Sequence, residues 1–102
     1  MLTTFERDNF AKVTGSSFTL TAGPGQSIDV ELGEVSPLKE GKHQRSFSIV
    51  FLVPETFRVE QGLYDLAHPE LGEMQLFLVP VGMRNSRQEL EAVFNLLLEQ
   101  EA

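Results

Sequence analysis

The sequence predicts a mainly β protein: a small antiparallel β-barrel or sandwich of about six strands with a short N-terminal helix. Three observations carry this. Residues 63–82, LYDLAHPELGEMQLFLVPVG, set two apolar-rich arms about a His68-Pro69-Glu70-Leu71-Gly72 turn, the pattern of a β-hairpin. Ser46–Val53, SFSIVFLV, alternates along its length and is apolar on both faces at its end. Ile28, Val30 and Leu32 alternate with Asp29, Glu31 and Gly33, as a strand with one wet face does.

At 102 residues the chain reads as one β-domain over 1–102. Apolar residues make up 41%, enough for one modest core, and with eight Phe and no Trp that core rests on Phe and branched aliphatics.

Thr3-Thr4-Phe5-Glu6 is a capping box, so a short helix starts there. Phe5, Phe10 and Val13 form its buried side, and Gly15 ends it. Phe18–Thr21 alternates as a strand, and Ala22–Gln26 turns the chain. Val35 breaks the alternation set up by Ile28, so a β-bulge at Gly33 is expected, bending the strand as closure of a barrel requires. Lys39–Lys42 is a polar tip, and Pro54-Glu55-Thr56 stops the strand that follows it. Residues 55–62 form a connection, partly extended through Phe57 and Val59. In the hairpin, the arm Met74–Val81 is apolar enough to sit in mid-core.

The C-terminal segment has two readings. Ser86-Arg87-Gln88-Glu89 is a second capping box, and Leu90, Val93, Phe94 and Leu97 follow at helical spacing. A strand over 88–95 instead places Leu90, Ala92, Phe94 and Leu96 on one face. Pattern alone favours the helix. Residues 98–102 read as helical or frayed.

Charge and composition exclude several functions. A net charge of −7 opposes nucleic acid and anionic membrane surfaces as partners. With no cysteine there is no disulfide, thiolate zinc site, iron–sulfur cluster or cysteine nucleophile, and a cytoplasmic setting is expected. No stretch reaches the roughly 18–20 apolar residues of a membrane span. The start, MLTTFERDNFAKVTG, lacks the basic and apolar regions of a signal peptide.

Chemistry finds no firm anchor. Ser46 or Ser48 with His43 or His68 and Asp65 could be drawn as a nucleophile–base–acid set, yet no Gly-x-Ser-x-Gly elbow surrounds either serine. His43 reads as a solvated tip residue, and His68 as a cap on the turn before Pro69. Two histidines are too few for a zinc site. The acidic pairs Glu55/Glu60, Glu70/Glu73 and Glu89/Glu91 lack the cleft that glycoside hydrolysis needs. Ala22–Ser27 lacks the lysine of a phosphate loop. Lys39, Lys42, His43 and Arg45 form the one basic cluster, read as a charged tip that blocks edge pairing, and Arg84–Arg87 as a smaller polar turn of the same kind. Catalytic residues, cofactors and metal ligands are therefore all predicted as none, and the chain as no enzyme.

Phe47-Ser48-Ile49-Val50-Phe51, Gln61-Gly62-Leu63-Tyr64, His68-Pro69-Glu70-Leu71-Gly72, Phe77-Leu78-Val79-Pro80-Val81-Gly82 and Glu91-Ala92-Val93-Phe94-Asn95 occur in that order. From about Phe5 to Asn95 the chain resembles a family of small uncharacterised bacterial proteins, a domain of unknown function. The resemblance implies a compact β-domain, a last strand at Glu91–Asn95 and, for some members, association with phage-tail-like proteins. It supplies no catalytic or binding residues. Its recurring residues imply structural roles: Gly62 and Gly72 in turns, Pro69 and Pro80 at strand ends, Tyr64 as a buried ring.

The expected function is thus a non-enzymatic structural or protein-interaction domain, as a component of or accessory to a phage-tail-like assembly. A protein partner or self-association is expected, with the leucines at 96–98 as one contact. The alternative is a small-ligand-binding β-barrel.

Overall fold

The computed structural model describes residues 7–42 and 44–97, and side chains as far as Asn95. The expectations for Thr3–Glu6, His43, the 96–98 leucine contact and the tail to Ala102 lie outside these residues. A helix, α1 (Arg7–Ala11), precedes seven strands: β1 (Ser17–Gly23), β2 (Gln26–Val35), β3 (Lys39–Glu40), β4 (Gln44–Leu52), β5 (Gly62–His68), β6 (Gly72–Arg84) and β7 (Arg87–Leu97). All pairings are antiparallel, in the order β2-β1-β5-β6-β7-β4-β3. A further pairing of β2 with β4 closes six strands into a barrel and leaves β3 as an added edge.

The turns follow local chemistry. Between β1 and β2, Pro24 fixes its own φ and Gly25 takes φ +72°. Pro69, Glu70 and Leu71 link β5 to β6, where His68 pairs with Gly72, and Gly72 at φ +84° supplies the left-handed residue such loops need. Asn85 (φ 50°) and Ser86 (φ 69°) form the two-residue turn between β6 and β7, as in a type I′ hairpin.

The expected bulge is present: the β2–β4 register shifts between Leu32 and Glu34. Any Cβ on Gly33 would lie 3.1 Å from Cγ and Cδ1 of Leu52. The bare glycine therefore lets Leu52 fold over it, which explains how the end of β4 is buried on both faces.

Phe18, Leu20, Val30, Leu32, Ile49, Phe51, Leu66, Leu78 and Leu90 fill the barrel, each 2% exposed or less. Phe10 of α1 packs against Phe47 and Phe94, with centroids 6.1 and 5.3 Å away. The rings of Phe47 and Phe94 stack at 4.8 Å. Such pairs add about 0.5–1.5 kcal/mol each beyond the area they bury.

One open choice is settled and some expectations change. Of its two readings the C-terminal segment takes the strand, β7: Leu90, Ala92 and Phe94 point inward at period two, and all nine residues of β4 pair with it. Long-range pairing outweighs the local capping signal. The arm Met74–Val81 is not in mid-core. Leu76 and Leu78 are buried, but Phe77 (51% exposed) and Val81 (50%) face outward, because β6 lies in a barrel wall with a solvent side. Pro80 is no strand end; it lies within β6, opposite Leu90, next to a second bulge that runs to Gly82. Gly62 opens β5 with no positive φ, and the Tyr64 ring beside it is only partly buried.

Candidate functional site

Of the residues drawn as a nucleophilic set, Ser46, Ser48, Asp65 and His68 are engaged apart from one another. Ser46 and Ser48 sit on β4, where Ser48 pairs with Val93 of β7. Its backbone N–H donates to Ser36 Oγ at 2.8 Å. Asp65 accepts from Gln75 Nε2 across the hairpin at 3.1 Å.

His68 is a structural cap. Its Nδ1 accepts from the N–H groups of Glu70 (3.0 Å) and Leu71 (3.3 Å), so the ring proton sits on Nε2. Nε2 then donates to Ser16 Oγ at 2.9 Å, and the Ser16 hydroxyl donates to the Val13 carbonyl. The ring also rests on Phe18, centroids 4.5 Å apart. This relay ties the β5–β6 turn to the helix-to-strand connection and leaves neither ring nitrogen free for catalysis.

A second polar residue is as buried, and the sequence did not single it out for this role. The Gln88 side chain accepts from Val59 N–H at 2.8 Å and donates to the Val59 carbonyl at 2.9 Å. It thereby takes the place of a neighbouring strand for the 54–61 connection.

The bases at the β6–β7 turn are committed too. Arg84 donates to Glu34 at 2.9 Å and lies 2.9 Å from Glu89. The Glu34 hydrogen bond first, and the Glu89 charge next, hold its guanidinium pKa above the ordinary arginine value. Arg87 reaches Glu31 at 3.0 Å. These pairs join the turn to the bulged part of β2. Among the described residues, no group of three or more His, Asp or Glu side chains could hold a metal ion.

What remains is a surface feature. Leu63 (60% exposed) and Phe77 (51%) face each other across β5 and β6. Val79 pairs with Glu91 on β7, and Val93 (59%), two residues on, carries the apolar row along that outer face. Val81 and Met83 extend the exposed apolar surface of β6. No Lys or Arg occurs between Val59 and Met83, whereas Glu60, Asp65, Glu70 and Glu73 do. The wall is thus apolar along its centre, acidic on its β5–β6 flank, and bordered by Arg84 and Arg87 at the β6–β7 end. Its trace in the sequence is the apolar run of β6, which reads as core.

The described residues form open concavities on the outside of the barrel. One, of about 480 Å³, lies on the outer wall among Thr19, Thr21, Asp65 and Glu73. Another, of about 450 Å³, lies between the β1–β2 hairpin and residues 57–59.

A closed antiparallel six-stranded barrel with an exposed apolar row on its outer wall is the class these features define. The chain belongs to the family described as a domain of unknown function (DUF6916), whose model matches residues 5–94. No curated protein and no solved structure matches it. No described helix is long and apolar enough to cross a membrane.

Proposed function

We propose that this domain is a non-enzymatic structural or protein-interaction module, acting in the cytoplasm as a component of, or accessory to, a phage-tail-like assembly. The observation that carries it is the outer row Leu63–Phe77–Val93, with Val81 and Met83 beyond it. Exposed apolar side chains set in one wall mark a contact surface more often than scattered single ones do. The acidic β5–β6 flank selects a partner surface that is basic where it meets that flank. The phage-tail association comes from the sequence resemblance alone. The ligand-binding alternative draws less support, because the side chains along the barrel axis are fully buried against one another.

The test is capture from host lysate with immobilised wild type and with Phe77→Asp, alongside light scattering. A defined partner, or a defined oligomer, that Phe77→Asp abolishes while its melting temperature holds supports the reading. A strictly monomeric wild type that captures nothing overturns it.

A further inference from the structure

Among the described residues, one margin of β2 is unpaired, and it borders a slot. Leu32 donates its N–H to the Ser16 carbonyl (2.9 Å) and accepts from Gly15 N–H (2.7 Å), so its backbone groups face the β1 side. Alternation along an extended strand turns those of Ser27 and Asp29 the opposite way. On that side β2 pairs with β4 only from Glu31 to Val35, because β4 ends at Leu52 and Pro54 follows. Ser27 and Asp29 are both exposed. Two N–H and two C=O groups thus stand about 6.6 Å apart in pairs, the two-residue repeat of a strand.

The slot, about 450 Å³, lies between this margin and the 57–59 segment, with Ser27, Ile28, Phe57 and Val59 among its walls. Gln88 holds the far bank in place through both backbone groups of Val59. Ile28 is half-buried and Phe57 is 45% exposed, which gives the slot an apolar side. Asp29 sits opposite Thr19 on β1 and makes no ion pair among the described residues.

We infer that this slot takes an extended peptide segment of a partner protein, which joins β2 as an added strand. Its backbone bonds Ser27 and Asp29, an apolar side chain rests on Ile28 and Phe57, and a Lys or Arg stands across from Asp29. Strand addition draws affinity from main-chain bonds and specificity from alternate side chains. Arg58 also lines the slot, but its guanidinium is held by the carbonyls of Glu55 and Phe57 at 3.3 and 2.9 Å, so the Asp29 carboxylate on the strand margin is the charge left to choose the sign of the partner's. That carboxylate also disfavours a second copy of β2 here, since symmetric pairing would set carboxylates close together. The surface is separate from the Leu63–Phe77–Val93 wall, and the inference stands whether or not that wall is covered.

The probe is a displayed library of short linear peptides, selected on the full chain, with binders measured by fluorescence anisotropy. Enriched peptides are expected to alternate apolar residues and to include a Lys or Arg. Asp29→Lys is expected to weaken binding by about tenfold or more with the melting temperature unchanged. On binding, hydrogen exchange at the Ser27 and Asp29 amides slows; this readout needs no variant. Three outcomes overturn the inference: no peptide above background, binders indifferent to Asp29→Lys, or protection at Leu63–Phe77 in place of Ser27–Asp29. A dimer that protects Ser27 and Asp29 without peptide overturns it as well.

Discussion

Gln88 binds Val59 through both ends of its amide, at 2.8 and 2.9 Å. One side chain therefore satisfies a buried N–H and a buried C=O on a segment with no strand beside it. Gln88→Leu leaves both groups unpaired, and the expected loss is about 2–5 kcal/mol, read from urea titration. Gln88→Glu keeps the acceptor but turns a buried carboxylate oxygen on the Val59 carbonyl, so at neutral pH its midpoint should fall at or below that of Gln88→Leu. Equal stability of Gln88→Leu and wild type would show that water replaces the amide.

The His68–Ser16 relay behaves as a unit. His68→Ala removes the turn cap and the ring packed on Phe18, with an expected cost of about 2–3 kcal/mol. Ser16→Ala costs about 1 kcal/mol. Because they share one hydrogen bond, the double variant loses less than the sum. Strict additivity in a double-mutant cycle would contradict the relay.

Neighbouring residues of β6 should differ sharply. Leu78 is fully buried, and Leu78→Ala is expected to cost about 2–5 kcal/mol. Phe77 is half out in solvent, and Phe77→Ser should stay within about 1 kcal/mol. Comparable losses at the two positions would mean that the outer wall is covered in the free protein.

Arg84 carries a salt-sensitive link. Arg84→Gln should lower the urea midpoint at low ionic strength and leave little difference at high salt, because the pair with Glu34 is exposed. The sign with pH follows from the raised pKa of Arg84. Its contribution is complete below the ordinary arginine value and is lost only as pH climbs beyond it. The difference between wild type and variant attributable to arginine ionisation should therefore be flat across the neutral range, as pH-dependent melts would show.

The sequence made legible what depends on neighbours along the chain. Alternation marked Phe18–Leu20, Ile28–Leu32 and Phe47–Val53 as strands, and Gly33 marked the bulge. His68 beside Pro69 read as a turn cap, which it is. What the sequence hid depends on residues far apart. Arg84 meets Glu34, 50 positions away, and Gln88 meets Val59, 29 away; no local pattern encodes either. The C-terminal segment carries helical and strand spacing together, and only the pairing with β4 decides between them. The outward side of β6 was obscured because an apolar run cannot announce which face meets water until the wall is closed.

The seams of the ring join distant parts of the chain. β1 meets β5 through Thr19↔Ala67 and its two neighbours, while β4 meets β7 from Gln44↔Leu97 to Leu52↔Glu89. Hairpins can form early from nearby residues and the β1–β5 seam can shut once His68 is made, but the ring closes only when β7 joins β6 to β4. Assembly should accordingly be slow compared with a helical bundle of the same size, with a transition state dominated by loop closure. During synthesis one edge of β4 and one of β6 stay bare until β7 arrives.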